Sequence, residues 1–422
     1  MEARAEALAA AAAVDEARLW SRQMAMAEIG ATAAGGVNRA ALSDEDRRAR
    51  ALMLEWAFAL GFEVATDAIA NLYIRRPGRR ADAAPVVTGS HLDSQPRGGK
   101  FDGAYGVVGG FEALEAIQRA GVETERPIDV VAWTNEEGGR FQPGAMGSAV
   151  FAGVLSLEDQ LGLADTDGVT LADALTETLA STPGLPQRPF GHPFAAYVEA
   201  HIEQGPRLEN EGLTIGAVTG IQGLYWYAVE VTGAEAHAGT TPLRTRRDAL
   251  KAAVAMVSAL EELMADESDT VRFTVGRFEC HPGSPATVPG RAFFTVDFRH
   301  PDPAVIERIR SRIAPTCEAH ARGCGVTVRP LMAHAPLTFD ADVIAMVEGY
   351  AETLGHPVVR LPSGAGHDAG HINHLCPTGM IFVPCERGVS HNEAENATPA
   401  DLAAGAGTLA ACLVDLANRE QP

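Results

Sequence analysis

Acidic residues and histidines recur at separated places in this chain, each time beside the end of a short apolar run. His91 follows the run 85–88, the pair Glu136-Glu137 follows 128–134, His201 follows 196–198, and His391 lies beyond 380–383. Asp102 belongs to GSHLDSQPRGGKFDG, residues 89–103, a stretch too irregular for a helix. Three histidines, an aspartate and a glutamate form a nitrogen/oxygen donor set that suits zinc, or manganese, cobalt or nickel when water completes the shell. Each loop taken alone has a plainer reading. A lone histidine is usually a satisfied core or surface residue, adjacent glutamates are often a solvated pair at a turn, and glycines beside an aspartate often serve tight turns. Their recurrence at the same end of successive apolar runs favours one shared site, because open α/β sheets place ligands beyond the carboxyl ends of their strands.

The elements that must position these residues fall into two patterns. Ser43-Asp44-Glu45-Asp46 resembles a capping box opening a helix; Leu52, Met53, Trp56 and Leu60 then share a face, and Gly61 closes it. Apolar runs alternating with helical stretches such as 107–119 predict an α/β domain with a largely parallel sheet. Thr398-Pro399-Ala400-Asp401 opens the last helix. The middle of the chain reads as strand 224–231, helix 246–264, strands 271–278 and 292–299, helix 304–321 and strand 326–330, a compact βαββαβ sandwich. His201 and His391 flank this unit, so a site using both requires it to be an insertion. The expected organisation is a discontinuous catalytic domain, 1–213 with 334–422, interrupted by an inserted domain at 214–333.

Hydrophobic residues make up 46% of the 422 and charged residues 21%, as in a folded globular protein. A formal charge of −21 argues against a nucleic-acid or anionic-membrane partner, whose phosphates demand a basic face. Cys280, Cys317, Cys324, Cys376, Cys385 and Cys412 show no CxxC pair and read as free thiols of a reducing compartment. The alanine-rich start is broken by Glu2, Glu6, Asp15 and Glu16, which predicts a helix rather than a secretory signal, hence a cytoplasmic protein. No apolar run is expected to span a bilayer.

GSHLDSQPRGGKFDG, TNEEGGRFQPGAMGS, EAHIEQG, EAHAGTTPLRTRRDA, SGAGHDAG and GVSHNEAE, in that order, resemble the M20 metallopeptidase-like amidohydrolases. The branch is that of N-carbamoyl-L-amino-acid hydrolases, bacterial β-ureidopropionases and allantoate amidohydrolases. The resemblance covers the chain beyond its first few dozen residues. It implies a mixed-sheet catalytic domain with an inserted ferredoxin-like lid and dimerisation domain, and two divalent ions per subunit, zinc by default. Asp102 would bridge the ions, with His91 and His201 on one and Glu137 and His391 on the other, and Glu136 would be the general acid/base. It further implies a cis peptide after the bridging aspartate, at Asp102–Gly103.

For the substrate, the resemblance implies that Gln204, Arg299 and the loop Gly364-Ala365-Gly366-His367 make contact, Arg299 clamping a carboxylate. His237, on the lid, would enter the site of the other subunit in a homodimer. The implied reaction is hydrolysis of a linear amide or ureido C–N bond, turning a small carboxylate-bearing N-carbamoyl or N-acyl amino acid into the free amino acid. Two departures bear on the substrate. PGSPATVPG puts Ala286 where the branch has a substrate-contacting asparagine, and Leu224-Tyr225-Trp226-Tyr227 stands where allantoate-cleaving members carry arginines. These aromatics are either substrate surface or lid core. Allantoate hydrolysis in purine nitrogen salvage and a catalytically silent metal- or peptide-binding module are the alternatives, the latter opposed by the intact Glu136 and ligand set.

Overall fold

The computed structural model describes residues 2–419. Its chain divides into two compact units, one made of residues up to Thr219 together with Phe339 onward, the other Gly220–Thr338. Both junctions fall a few residues later than the sequence suggests.

The first unit is built on a mixed sheet. Its centre is four mutually parallel strands in the spatial order Ile128–Trp133, Val86–His91, Ala196–Ile202 and Thr378–Val383. Antiparallel strands extend it on both sides, Leu72–Arg76 and Glu63–Thr66 beyond the first and Ile215–Ile221 beyond the last. Every residue of the four central strands is buried. That is why they read as largely apolar runs without a strict polar alternation, since a parallel sheet covered on both faces has no solvent side to alternate with. The helices Ala104–Arg119 and Pro399–Asn418 are among those that pack on it.

Local chemistry sets the helix ends. Ser43 caps Asp44–Ala59 by accepting the Asp46 N–H, and Thr398 caps the last helix by accepting that of Asp401, with Pro399 at its first turn. The predicted helix at 107–119 starts earlier, at Ala104, directly after Asp102-Gly103. Contrary to the sequence expectation, Pro399–Asn418 is long and apolar enough by itself to cross a membrane. However, 78% of its apolar window is buried, as in a core helix.

The second unit has helices Ala249–Met264 and Pro303–Ala319 packed on an antiparallel sheet ordered Phe278–His281, Arg291–His300, Gly223–Thr232, Gly325–His334. This is the expected βαββαβ sequence of elements with strand order 4-1-3-2 read from the other edge. The single strand expected at 271–278 is instead split into Arg272–Thr274 and Phe278–His281, both paired with Arg291–His300.

Candidate active site and metal centre

His91 ends the strand Val86–His91, and His201 is the penultimate residue of its parallel neighbour Ala196–Ile202. Both are thus strand-borne, where the sequence suggested loops just past the strands. Each Nδ1 lies 2.9 Å from a backbone carbonyl, of Asp93 and Ile202 respectively. A carbonyl can only accept, so Nδ1 carries a proton and Nε2 is the atom left to bind a cation. Both Nε2 atoms face Asp102 Oδ1, at 3.8 and 3.2 Å.

The other oxygen of Asp102 looks elsewhere. Its Oδ2 is 3.4 Å from His391 Nε2, which is 3.2 Å from Glu137 Oε2. Donor atoms of His91, Asp102 and His201 lie within 4.8 Å of one another, and so do those of Asp102, Glu137 and His391. One aspartate therefore joins two three-donor groups.

A buried carboxylate aims the two glutamates. Asp93 Oδ1 and Oδ2 accept the backbone N–H groups of Glu136 and Glu137, each at 3.2 Å, while Asn135 takes a left-handed φ of 57°. This turn sends the neighbours apart. Glu137 is gripped by the Gln95 backbone N–H and Nε2 at 3.1 and 2.9 Å, whereas Glu136 Oε2 approaches His91 Nε2 at 3.4 Å. The expected cis bond at Asp102–Gly103 is absent: among the described residues the cis peptides are Gln142–Pro143 and His281–Pro282. Gly103 makes the bend instead, at φ 63° and ψ −50°, and a Cβ there would sit 2.2 Å from the His91 ring.

The electrostatics call for cations. Asp93, Glu199, Asp368 and Glu395 are buried around the ligands. Burial, reinforced by neighbouring negative charge, pushes Asp93 up to about 6 and Glu395 up to about 7. Glu136 is driven well above the carboxylate range, first by burial and then by Asp368, Glu137, Asp93 and Asp102. Despite its burial, Asp102 is held far below that range by His201 and His91, and it in turn helps draw His201 up to about 9. His391 is raised to about 9, chiefly by Glu137. Clustered acids taken out of water either hold protons, as these raised values show, or ionise beside compensating positive charge such as a cation. A pair of divalent ions fits this donor set in chemistry and geometry.

The remaining expected residues divide. Gln204 is in the centre, its Nε2 donating to Asp102 Oδ2 at 2.8 Å and its Oε1 buried without a partner. His367 is buried with its ring centroid 4.6 Å from that of His201, and its Nε2 is 2.9 Å from Ser363 Oγ. Ser363 Oγ also accepts the Ala365 N–H, which folds the turn through Gly364 and Ala365. Glu199, His201 and His367 form a third close donor group. Its Glu199 already accepts from Ser90, Tyr197 and the Ala369 N–H, so it acts as backing for the ring. His237 and Arg299 belong to the second unit. There, Arg299 grips Asp297 with Nε and Nη2 at 3.1 and 3.0 Å.

Asp93, Gln95, Ser390 and Glu395 received no role from the sequence. Ser390 Oγ donates to Asp102 Oδ2 at 2.6 Å, and Glu395 Oε1 accepts the Phe101 and Asp102 N–H groups at 2.8 and 3.0 Å. The available signal was position: Asp93 stands two residues after His91, and Glu395 four after His391.

The sequence profile of peptidase family M20/M25/M40 matches residues 87–415. The chain belongs to that family. Within it, the N-carbamoyl-L-amino-acid amidohydrolase of Rhizobium meliloti is 41% identical over 402 residues, 94% of this chain and 95% of that protein. The allantoate amidohydrolase of Escherichia coli (strain K12) is 33% identical, over 96% of this chain and 98% of its own. In the crystal structure of an amidase of the hydantoinase/carbamoylase family from Burkholderia multivorans, 46% identity is matched by a TM-score of 0.91, covering 96% of this chain and 98% of that one.

Proposed function

We propose that the protein is a two-metal amidohydrolase that releases the free amino acid from an N-carbamoyl-L-amino acid or a related N-acyl amino acid. The observation that carries this reading is Asp102, whose two oxygens serve separate donor pairs beside a partly buried glutamate, Glu136. His91 and His201 with Asp102 hold one ion, and Glu137 and His391 with Asp102 the other. Such a pair, when bound, activates water and polarises the scissile carbonyl, and zinc is the default ion for these donors, with manganese, cobalt and nickel fitting too.

The chain's own residues do the rest. Glu136, as a carboxylate whose proton affinity is raised by its setting, takes the proton of the attacking water and delivers it to the departing nitrogen. His237 Nδ1 accepts the Gly239 and Thr240 N–H groups at 3.1 Å each, which leaves Nε2–H as a donor for a carbonyl oxygen. We assign that task to His237 of the partner subunit in a homodimer formed through the second unit. Arg299 receives the substrate carboxylate, which shares or displaces Asp297, and Gln204 with the Gly364–His367 turn completes the contacts.

The aromatic stretch refines the substrate. Tyr225 is buried and stacked on Phe298 at 5.6 Å, and Tyr227 stacks on the same ring at 6.3 Å, so both are core. Trp226 is exposed, opposite Asp297 on the neighbouring strand, as Leu224 is opposite Arg299. An apolar surface beside the carboxylate clamp favours an amino acid with an apolar side chain. All six cysteines are unpaired, which supports a reducing, cytoplasmic setting.

The test is a metal-reconstituted screen of N-carbamoyl, N-acyl and allantoate substrates with amine and ammonia both measured. Amine release from N-carbamoyl amino acids is expected, reduced about 10²–10⁴-fold in Glu136→Gln with metal content intact. Activity on allantoate alone would overturn the assignment in favour of allantoate hydrolysis. A purified protein that takes up no metal, or unchanged turnover in Glu136→Gln, would revive the silent-module reading.

A further inference from the structure

The segment 30–39, GATAAGGVNR, lies upstream of the residues the family profile matches, yet it is laced to the loops that lead to Asp102 and carry His391. Thr32 Oγ1 donates to Glu393 Oε1 at 2.5 Å, two residues beyond His391, while accepting the Gly36 N–H at 3.1 Å. Val37 and Gly98 exchange both backbone hydrogen bonds, at 3.0 and 2.9 Å. Ser94 and Arg39 are joined through Ser94 N–H to Arg39 O and Arg39 N–H to Ser94 Oγ, both at 2.9 Å. The buried Arg39 guanidinium donates to Leu92 O at 2.5 Å and, on its other side, to Met26 O and Ile29 O. Gly36 passes through the narrowest point: a Cβ there would lie 2.5 Å from Gly98 O and 2.6 Å from Glu393 Cα.

We propose that segment 30–39 is a strap that holds the loop of His391 against the loop of His91–Asp102, and that Thr32 is a positioning residue for the ion held by Asp102, Glu137 and His391. His391 is the donor that needs such help. Its side chain is 51% exposed and its φ is 52°, whereas His91 and His201 are buried on strands with Nδ1 fixed by carbonyls. Fixing the loop at Glu393 removes freedom the imidazole otherwise loses on binding a cation, so the strap raises affinity on one side of Asp102 only. Hydrogen-bond partners behind a ligand typically change metal affinity by about 10–100-fold.

This inference rests on the two-metal reading, and its test separates the two. Chelator-stripped wild type, Thr32→Val, Thr32→Ser and Glu393→Ala are titrated with Zn²⁺ against a chromophoric competitor, and with Co²⁺ followed by its visible absorption. Wild type is expected to bind two ions per subunit. Thr32→Val and Glu393→Ala bind the first ion as wild type does and the second at least about tenfold more weakly, and Thr32→Ser restores it. Wild-type affinity for both ions in Thr32→Val and Glu393→Ala overturns the strap and leaves the two-metal reading standing. So does equal weakening of both ions together with a lower melting temperature of the metal-free protein, the mark of a merely structural contact. Wild type that binds no pair of ions overturns both.

Discussion

The two donor groups that meet at Asp102 are made in different ways. His91 and His201 stand on adjacent parallel strands, buried, each ring locked by a carbonyl. Glu137 and His391 stand on loops, one clipped by Gln95 and the Asp93-bound turn, the other half exposed. The first group is as rigid as the sheet; the second is as rigid as the contacts that hold its loops. For the proposed pair of ions, stepwise loading is the expected outcome, with the strand-borne site filling first and tightest.

Asp102→Asn is the most damaging change, since it weakens both sites at once. Loss of both ions and a fall in turnover of roughly 10³-fold or more are expected, read by metal analysis and amine release. The paired variants His201→Ala and His391→Ala sharpen the contrast. His391→Ala keeps close to one ion per subunit after dialysis, and His201→Ala keeps less. Equal retention would show that strand and loop donors are equivalent.

The smallest effect is that of pH on the metal-free protein. His201 and His391 have folded-state values of about 9, above the unfolded value near 6.5. Their paired, protonated forms therefore contribute stability that is fully present below pH 6.5 and is lost as pH rises through 9. The melting temperature of chelator-treated protein should decline over that window, by roughly a few degrees. Metal affinity should climb over the same window because ions displace those protons. A flat melting profile would break the link.

Much of this was legible before the fold was known. The apolar runs at 85–88, 128–134 and 380–383 announced buried parallel strands, and capping patterns at Ser43 and Thr398 marked two helix starts. The donors were legible because their residue types are costly to bury and recur at strand ends. The residues behind them were not: Asp93, Gln95, Ser390 and Glu395 act through backbone N–H groups and single hydrogen bonds that leave no periodic trace. The geometry at Asp102–Gly103 also escaped, because a glycine's unusual φ serves where a rarer peptide isomer was expected. The roles of Tyr225 and Trp226 became separable only once strand alternation gave each a face.

The strand Thr378–Val383 lies between Ala196–Ile202 and Ile215–Ile221, although it is made long after both. A chain still on the ribosome, with the second unit already emerged, therefore carries a sheet with a gap at its centre and two unmet edges. Such edges invite pairing with other nascent chains. Premature termination anywhere before residue 378 should yield sticky fragments rather than a smaller working enzyme.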